Sequence, residues 1–117
     1  MQEVKIIAAA PPPGQHRMRC DQREDIVGRW GTPAFKWHFV VPDGEYAGAV
    51  VSKTTGTEVK LGESLAEFLA EVSGQKLEPG SVIDIDEPLG RLFDVLIAVR
   101  NGSSGTFIHK VSPVNDE

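Results

Sequence analysis

The chain has 117 residues, of which 40% are hydrophobic and 25% are charged, and its formal net charge is −5. This length fits one domain, and the composition excludes a disordered chain. The single cysteine, Cys20, is predicted to be a half-buried strand residue, and it excludes an internal disulfide. Every apolar run is far too short to cross a membrane. Because Met1–Ala10 lacks the basic start and long apolar core of a signal peptide, we expect a cytoplasmic protein.

The charge is unevenly distributed along the chain. Residues 1–60 hold eight Lys and Arg against seven acids, whereas residues 61–117 hold four against ten. An acidic protein is not an obvious nucleic-acid binder. The basic residues nevertheless concentrate where the first strands should lie, so a local basic groove on an acidic body is compatible with the sequence.

The first half of the chain predicts three strands after an N-terminal arm. Residues 1–13 are interpreted as an arm or early strand that breaks at the prolines 11–13. The predicted strands are Gln15–Cys20, Phe35–Val41 and Tyr46–Lys53. The charged stretch 21–31 is interpreted as a loop, because glycines surround Trp30 and a proline follows. Strict alternation in the second strand and a turn at Pro42–Glu45 predict a β-hairpin.

The segment Gly62–Ser73 has the periodicity of an amphipathic helix. Its apolar residues fall at i, i+3, i+4 and i+7 and form one stripe: Leu65, Phe68, Leu69 and Val72. Ser64 and Glu67 have the spacing of a capping box, and Gly74 stands where a C-terminal cap is expected. Acids spaced by four predict a solvated helix face, or alternatively a docking surface for a basic partner: Glu63, Glu67 and Glu71.

Two more strands follow an acidic stretch. The acids within residues 84–87 match no calcium loop, so a solvated loop is predicted there. Leu92–Arg100 is apolar on both faces, which predicts a central or covered strand. Asn101–Gly105 predicts a hairpin loop that leads into the last strand, Thr106–Ser112.

The sequence carries no recognisable catalytic or cofactor-binding set. It has no glycine-rich phosphate loop before a helix and no serine in a nucleophile elbow. The histidines His16, His38 and His109 lie on different elements, with no further ligand at metal-binding spacing. We therefore predict a protein that is not an enzyme and that needs neither a cofactor nor a metal.

The predicted order of elements is three strands, one helix and two strands. A helix between the third and fourth of five strands is the order of the OB-fold. The prediction is therefore an all-β fold with one helix, namely a five-stranded OB-fold β-barrel. We expect residues 1–117 to form this single domain, with a frayed tail at 114–117 and the apolar helix stripe closing one end of the barrel.

Several motifs occur in an order that is typical of a known group of proteins. They are Pro13-Gly14 before the first strand, a glycine-rich loop, Trp37-His38-Phe39 in an aromatic strand, Leu65 to Gly74 in the helix, Leu89-Gly90-Arg91 before a strand, and Val111-Ser112-Pro113 at the end of the last strand. Over roughly residues 12–113, the chain resembles small phage and prokaryotic proteins that look like single-stranded DNA-binding proteins with an OB-fold.

The resemblance implies non-catalytic binding of single-stranded DNA, or of RNA, by a homo-oligomer that acts in replication or recombination of phage or mobile DNA. Such binding needs cations for the phosphates and flat side chains for the bases. The candidate contact residues are Arg19, Arg29, Trp30, Lys36, His38, Tyr46, Lys53, Arg91 and Arg100. No membrane partner is expected. The alternative is a protein-interaction or assembly module on the same fold, with contacts made by the acidic helix face and the strand edges.

Overall fold

The computed structural model describes residues 11–28, 31–58, 60–99 and 106–114. Within these ranges the strands are β1 (Gly14–Val27), β2 (Pro33–Val40), β3 (Val50–Thr55), β4 (Leu92–Val99) and β5 (Thr106–Pro113), and the helix is α1 (Ser64–Ser73). The mostly β fold with a helix between the third and fourth strands is thereby confirmed. Of the N-terminal arm predicted at 1–13, residues 1–10 lie outside the described residues. No helix in the described ranges is long and apolar enough to cross a membrane.

The five strands form one antiparallel sheet in the order β3-β2-β1-β4-β5. The central strand β1 pairs with two neighbouring strands. Its residues 14–19 pair with β4, and its residues 19–27 pair with β2. A bulge at Asp21 interrupts the second of these ladders. The edge strands β3 and β5 contact each other. No hydrogen-bonded ladder joins them in the described part of the chain, so the sheet is not closed.

The core lies between the inner face of this sheet and α1. Trp37 and Phe39 of β2 are fully buried, as the strict alternation of the strand predicts. The Phe68 ring of α1 packs against both of them, with centroid distances of 4.7 Å to Trp37 and 6.2 Å to Phe39. Phe39 also contacts Phe93 of β4 at 6.2 Å. The apolar stripe of the helix is buried along its whole length, as its periodicity predicts.

The charged segment 21–27 is a strand and not the loop that its composition predicts. Its backbone pairs with β2 from Gln22 opposite His38 to Val27 opposite Pro33. Ladder hydrogen bonds and cross-strand contacts here outweigh the low β propensity of Asp and Glu.

Two further elements begin later than the sequence predicts. β3 starts at Val50, because residues 45–48 form a turn. α1 starts at Ser64, and its N-cap residue Glu63 makes no side-chain capping bond. The Ser64 hydroxyl instead accepts a hydrogen bond from the Gly56 N–H at 3.0 Å, so the predicted capping box does not form.

Gly74 ends α1 in a conformation that other residues adopt only at a cost. Its φ is 69° and its N–H donates to the Ala70 carbonyl at 3.0 Å, as the predicted C-terminal cap requires. A Cβ at this position would lie 3.3 Å from Pro113 Cγ, which is tighter than an ordinary contact.

We expect Gly74→Ala to lower the free energy of unfolding by about 1–2 kcal/mol for the left-handed backbone, with a further loss from the Pro113 contact. Gly80→Ala is the matched control, because Gly80 has φ 88° and open space around its Cβ position. Urea unfolding of both variants measures the difference. Equal losses would show that the Pro113 contact contributes nothing.

Candidate nucleic-acid interface

Polar side chains cover the outer face of β1, β2 and β3. Lys36 and His38 alternate with the buried Trp37 and Phe39 and therefore point away from the core. Cross-strand pairing places Glu24 beside Lys36. We define the outer face by the residues that the ladders place on this side: Arg19, Gln22, Glu24, Lys36, His38, Val40, Val50, Ser52 and Thr54.

His38 lies at the centre of a hydrogen-bonded chain that crosses three strands. Its Nε2 is 2.9 Å from Glu24 Oε1 on β1, and its Nδ1 is 2.8 Å from Ser52 Oγ on β3. These bonds are mutually consistent when the Ser52 hydroxyl donates to Nδ1 and Nε2–H donates to the carboxylate. The His38 side chain is only 21% exposed, whereas Glu24 is 50% exposed. These two hydrogen bonds therefore fix the imidazole ring and leave the Glu24 carboxylate open to solvent.

An open depression lies beside the hydrogen bonds that link Glu24, His38 and Ser52. It is lined by two valines and four polar residues: Val40, Val50, Asp21, Gln22, Glu24 and His38. Val40 and Val50 are cross-strand partners, and Val50 is 40% exposed. The depression thus joins an apolar surface to hydrogen-bonding groups, which is the general composition of a small-ligand site.

The cations of the outer face differ in what already pairs with them. Arg19 Nη2 lies 3.6 Å from Asp21 Oδ1, and both side chains are about half exposed. Lys36 is half-buried, and no carboxylate among the described residues lies within ion-pairing distance of it. The outer face therefore has mixed charge, with Lys36 as its unpaired cation within the described ranges.

Three other predicted contact residues lie away from this face. Lys53 is the cross-strand partner of Trp37, so it lies on the inner side of β3, at the gap that Phe107 of β5 also lines. Tyr46 is half-buried in the β2–β3 connection. Arg91 precedes β4, and its Nη1 donates to Glu87 Oε1 at 3.1 Å.

The remaining predicted contact residues, Arg29, Trp30 and Arg100, lie outside the described residues. The structure thus brings Arg19, Lys36 and His38 of the predicted set together on one face. It places Tyr46, Lys53 and Arg91 elsewhere.

The structure assigns Arg23 a tethering role that the sequence does not indicate. Its guanidinium carbon lies 5.0 Å from the Phe35 ring centroid and 5.6 Å from that of Trp37. Its Nη1 donates to the Ile85 carbonyl at 3.1 Å and to Asp86 Oδ1 at 2.6 Å. The arginine therefore fastens the acidic segment 84–87 to the sheet, and that segment is not simply solvated.

Two more side chains have roles different from those predicted. Glu71 was predicted on a solvated helix face, yet its Oε2 accepts the Val111 N–H of the edge strand β5 at 3.0 Å. Cys20 was predicted as half-buried and is fully buried. Burial, with a smaller contribution from the Asp21 carboxylate, raises the pKa of the Cys20 thiol to about 12, so the thiol stays protonated at neutral pH.

In the portion of the chain that the structure describes, no three His, Cys, Asp or Glu side chains are placed to hold a metal ion together. No protein-family model matches the chain, and no curated protein is significantly similar to it in sequence. The resemblance suggested by the sequence motifs therefore stays a prediction.

Proposed function

We propose that the chain is a non-catalytic single-stranded DNA-binding protein built on an OB-fold barrel, and that the outer face is its ligand surface. The observation that supports this most is the strand order. The sheet order β3-β2-β1-β4-β5, with its end strands in contact and α1 inserted after β3, is compatible with a five-stranded OB barrel. In OB-folds, the ligand lies on strands two and three between the first and last hairpin loops.

The chemistry of the outer face supports the same proposal. Lys36 is available to a phosphate, and Arg19 needs to give up only a long, solvent-screened contact with Asp21. The fixed His38 ring and the exposed Val50 surface provide flat and apolar contacts for bases. In the sequence, residues 29 and 30 fall between β1 and β2, and residue 100 follows β4. Cytoplasmic location, oligomer formation and a role in phage or mobile DNA belong to the proposal as implications of the resemblance.

Binding to oligo-dT, followed by intrinsic tryptophan fluorescence at increasing salt, tests the proposal. We expect binding at low salt that weakens as salt rises, because each neutralised phosphate releases counterions. Lys36→Gln should reduce the slope of log K against log salt by about 0.7, the value for one phosphate on a single strand. Lys60→Gln removes the same charge from an exposed residue outside the outer face and should leave the slope unchanged. Absence of binding by the unmodified protein at low salt would overturn the proposal.

The distribution of charge favours one second candidate, a protein-interaction or assembly module. Residues 61–117 carry a large excess of acids, and Glu63 and Glu67 are exposed around α1. A basic protein partner would be attracted to that surface. A stable oligomer or complex in light scattering, together with no oligo-dT binding at low salt, would support this candidate over the first.

A further inference from the structure

We propose that the depression beside His38 is a nucleobase subsite that prefers guanine within single-stranded DNA. The inference rests on the proposed function, because it assigns a base preference to the same outer face. It is carried by three features of that face: the apolar surface of the depression, its fixed hydrogen-bonding groups, and the cations at its two ends.

The apolar part of the depression suits the flat face of a base. Val40 and Val50 sit side by side on adjacent strands and line the same depression. Val50 is the first residue of the edge strand β3, and its side chain is 40% exposed. A base stacked there would remove this apolar surface from water, and stacking of this kind does not depend on base identity. The valines therefore contribute affinity but no selectivity.

The selectivity comes from acceptors next to the valines. The Glu24 carboxylate lines the depression, and only one of its oxygens is engaged, by His38 at 2.9 Å. An ionised carboxylate has about four lone-pair sites and no donor, so it retains acceptor capacity toward a ligand. Gln22 is the cross-strand partner of His38 and lines the same depression, where its amide can donate as well as accept.

The hydrogen-bonded chain holds this acceptor in place before a ligand arrives. Ser52 fixes the His38 ring, and the ring fixes the Glu24 carboxylate. A side chain that is already ordered loses little rotamer entropy on binding, so a hydrogen bond to it contributes more to affinity. Ser52 and His38 are thus positioning residues, and Glu24 is the group that contacts the base.

Phosphates can be held at both ends of the depression. Arg19 is the cross-strand partner of Val40, and Lys36 lies four residues before Val40 along β2. At about 3.3 Å per strand residue, these cations are separated by roughly 13 Å along the strand direction. A single strand that runs parallel to β2 would therefore meet a cation on each side of the base in the depression. The acids of the depression lie beside these cations: Glu24 is the cross-strand partner of Lys36, and Asp21 Oδ1 is 3.6 Å from Arg19 Nη2.

Guanine is the base whose exposed edge matches these groups. Its Watson–Crick edge, which is free in a single strand, presents the N1–H and N2–H donors side by side, so one carboxylate can accept both. The neighbouring O6 is an acceptor that the Gln22 amide can satisfy. Adenine and cytosine each offer one amino group, whereas thymine places its single N–H between two carbonyl oxygens that repel a carboxylate.

Fluorescence anisotropy at low salt tests this preference with labelled thymine oligonucleotides that carry one central guanine, hypoxanthine, cytosine, adenine or thymine. A bidentate pair at this partly exposed site should make the guanine oligonucleotide bind about fivefold more tightly than the all-thymine one. Hypoxanthine lacks the N2 amine and should lose most of that advantage. Equal affinity for all five oligonucleotides would overturn the guanine preference and leave the proposed function standing.

The matched variants are Glu24→Gln and Glu67→Gln, which remove the same charge from the depression and from the exposed face of α1. Glu24→Gln should still bind the all-thymine oligonucleotide but should lose the guanine preference. Glu67→Gln should retain the preference for guanine. Loss of the preference in both variants, or in neither, would overturn the assignment of Glu24. If the unmodified protein bound no oligonucleotide, the proposed function itself would fail, an outcome distinct from binding without preference.

Discussion

Phe68→Ala is expected to lower the free energy of unfolding by about 3–5 kcal/mol, the range for a buried Phe truncated to Ala. Phe68 is fully buried and is the residue through which α1 packs on the Trp37 and Phe39 rings of β2. Its removal leaves a cavity between the helix and the two rings. Because a domain of this size has a total stability of about 5–15 kcal/mol, the loss should lower Tm by roughly 10–20 °C.

Glu67→Ala is the control for this change, because Glu67 precedes Phe68 on the same helix but is exposed. Its effect on unfolding should stay within about 0.5 kcal/mol. Thermal unfolding followed by circular dichroism compares the two variants. Similar melting temperatures for Phe68→Ala and the unmodified protein would mean that α1 does not stabilise the sheet.

Arg23→Ala is expected to cost about 2 kcal/mol and to release the acidic segment that leads into β4. The Arg23 side chain is only 20% exposed and covers the Phe35 and Trp37 rings, so it contributes packing as well as charge. Its partner Asp86 is 64% exposed, and solvent screening therefore reduces the value of the ion pair. We attribute most of the effect to the two rings and to the buried end of the guanidinium at the Ile85 carbonyl.

Limited trypsin digestion measures the release, because Lys76 is exposed and lies in the connection that leads from α1 to this segment. Cleavage after Lys76 should be faster in Arg23→Ala than in the unmodified protein. Arg17→Ala is the matched control: its side chain is 58% exposed, its ion pair with Asp94 is 3.7 Å long, and its loss should be nearly neutral. Unchanged cleavage in Arg23→Ala would show that the segment is held by other contacts.

The features that could be predicted from the sequence are those that depend only on residues close together in the chain. The α1 stripe and the alternation of Phe35–Val41 each fix one buried face, and the structure confirms both faces. Gly74 at the helix end is predictable for the same reason, since its conformation depends on its immediate neighbours. The order of these elements was enough to predict a mostly β fold with one helix.

Features that depend on distant partners could not be predicted in this way. The segment 21–27 looks like a loop by composition and becomes a strand because β2 supplies its hydrogen bonds. Arg23 looks like one more surface cation until the fold brings the segment 84–87 to it. The same limit applies to the candidate site. Lys36 and His38 can be placed on one face by alternation, but the chain from Glu24 through His38 to Ser52 appears only when three strands are in register.

The central strand also shapes how the chain must fold. The β1–β2 and β2–β3 ladders and the β4–β5 ladder join segments that are close in sequence, so each group can form after a short loop closes. The β1–β4 ladder is different, because it joins Gly14 to Ile97 across almost the whole described chain. Loop-closure entropy makes this pairing the most costly to nucleate, and such non-local contacts slow folding. The two halves of β1 therefore couple a quickly formed three-stranded unit to a distant hairpin, and folding should be limited by the encounter of these two units.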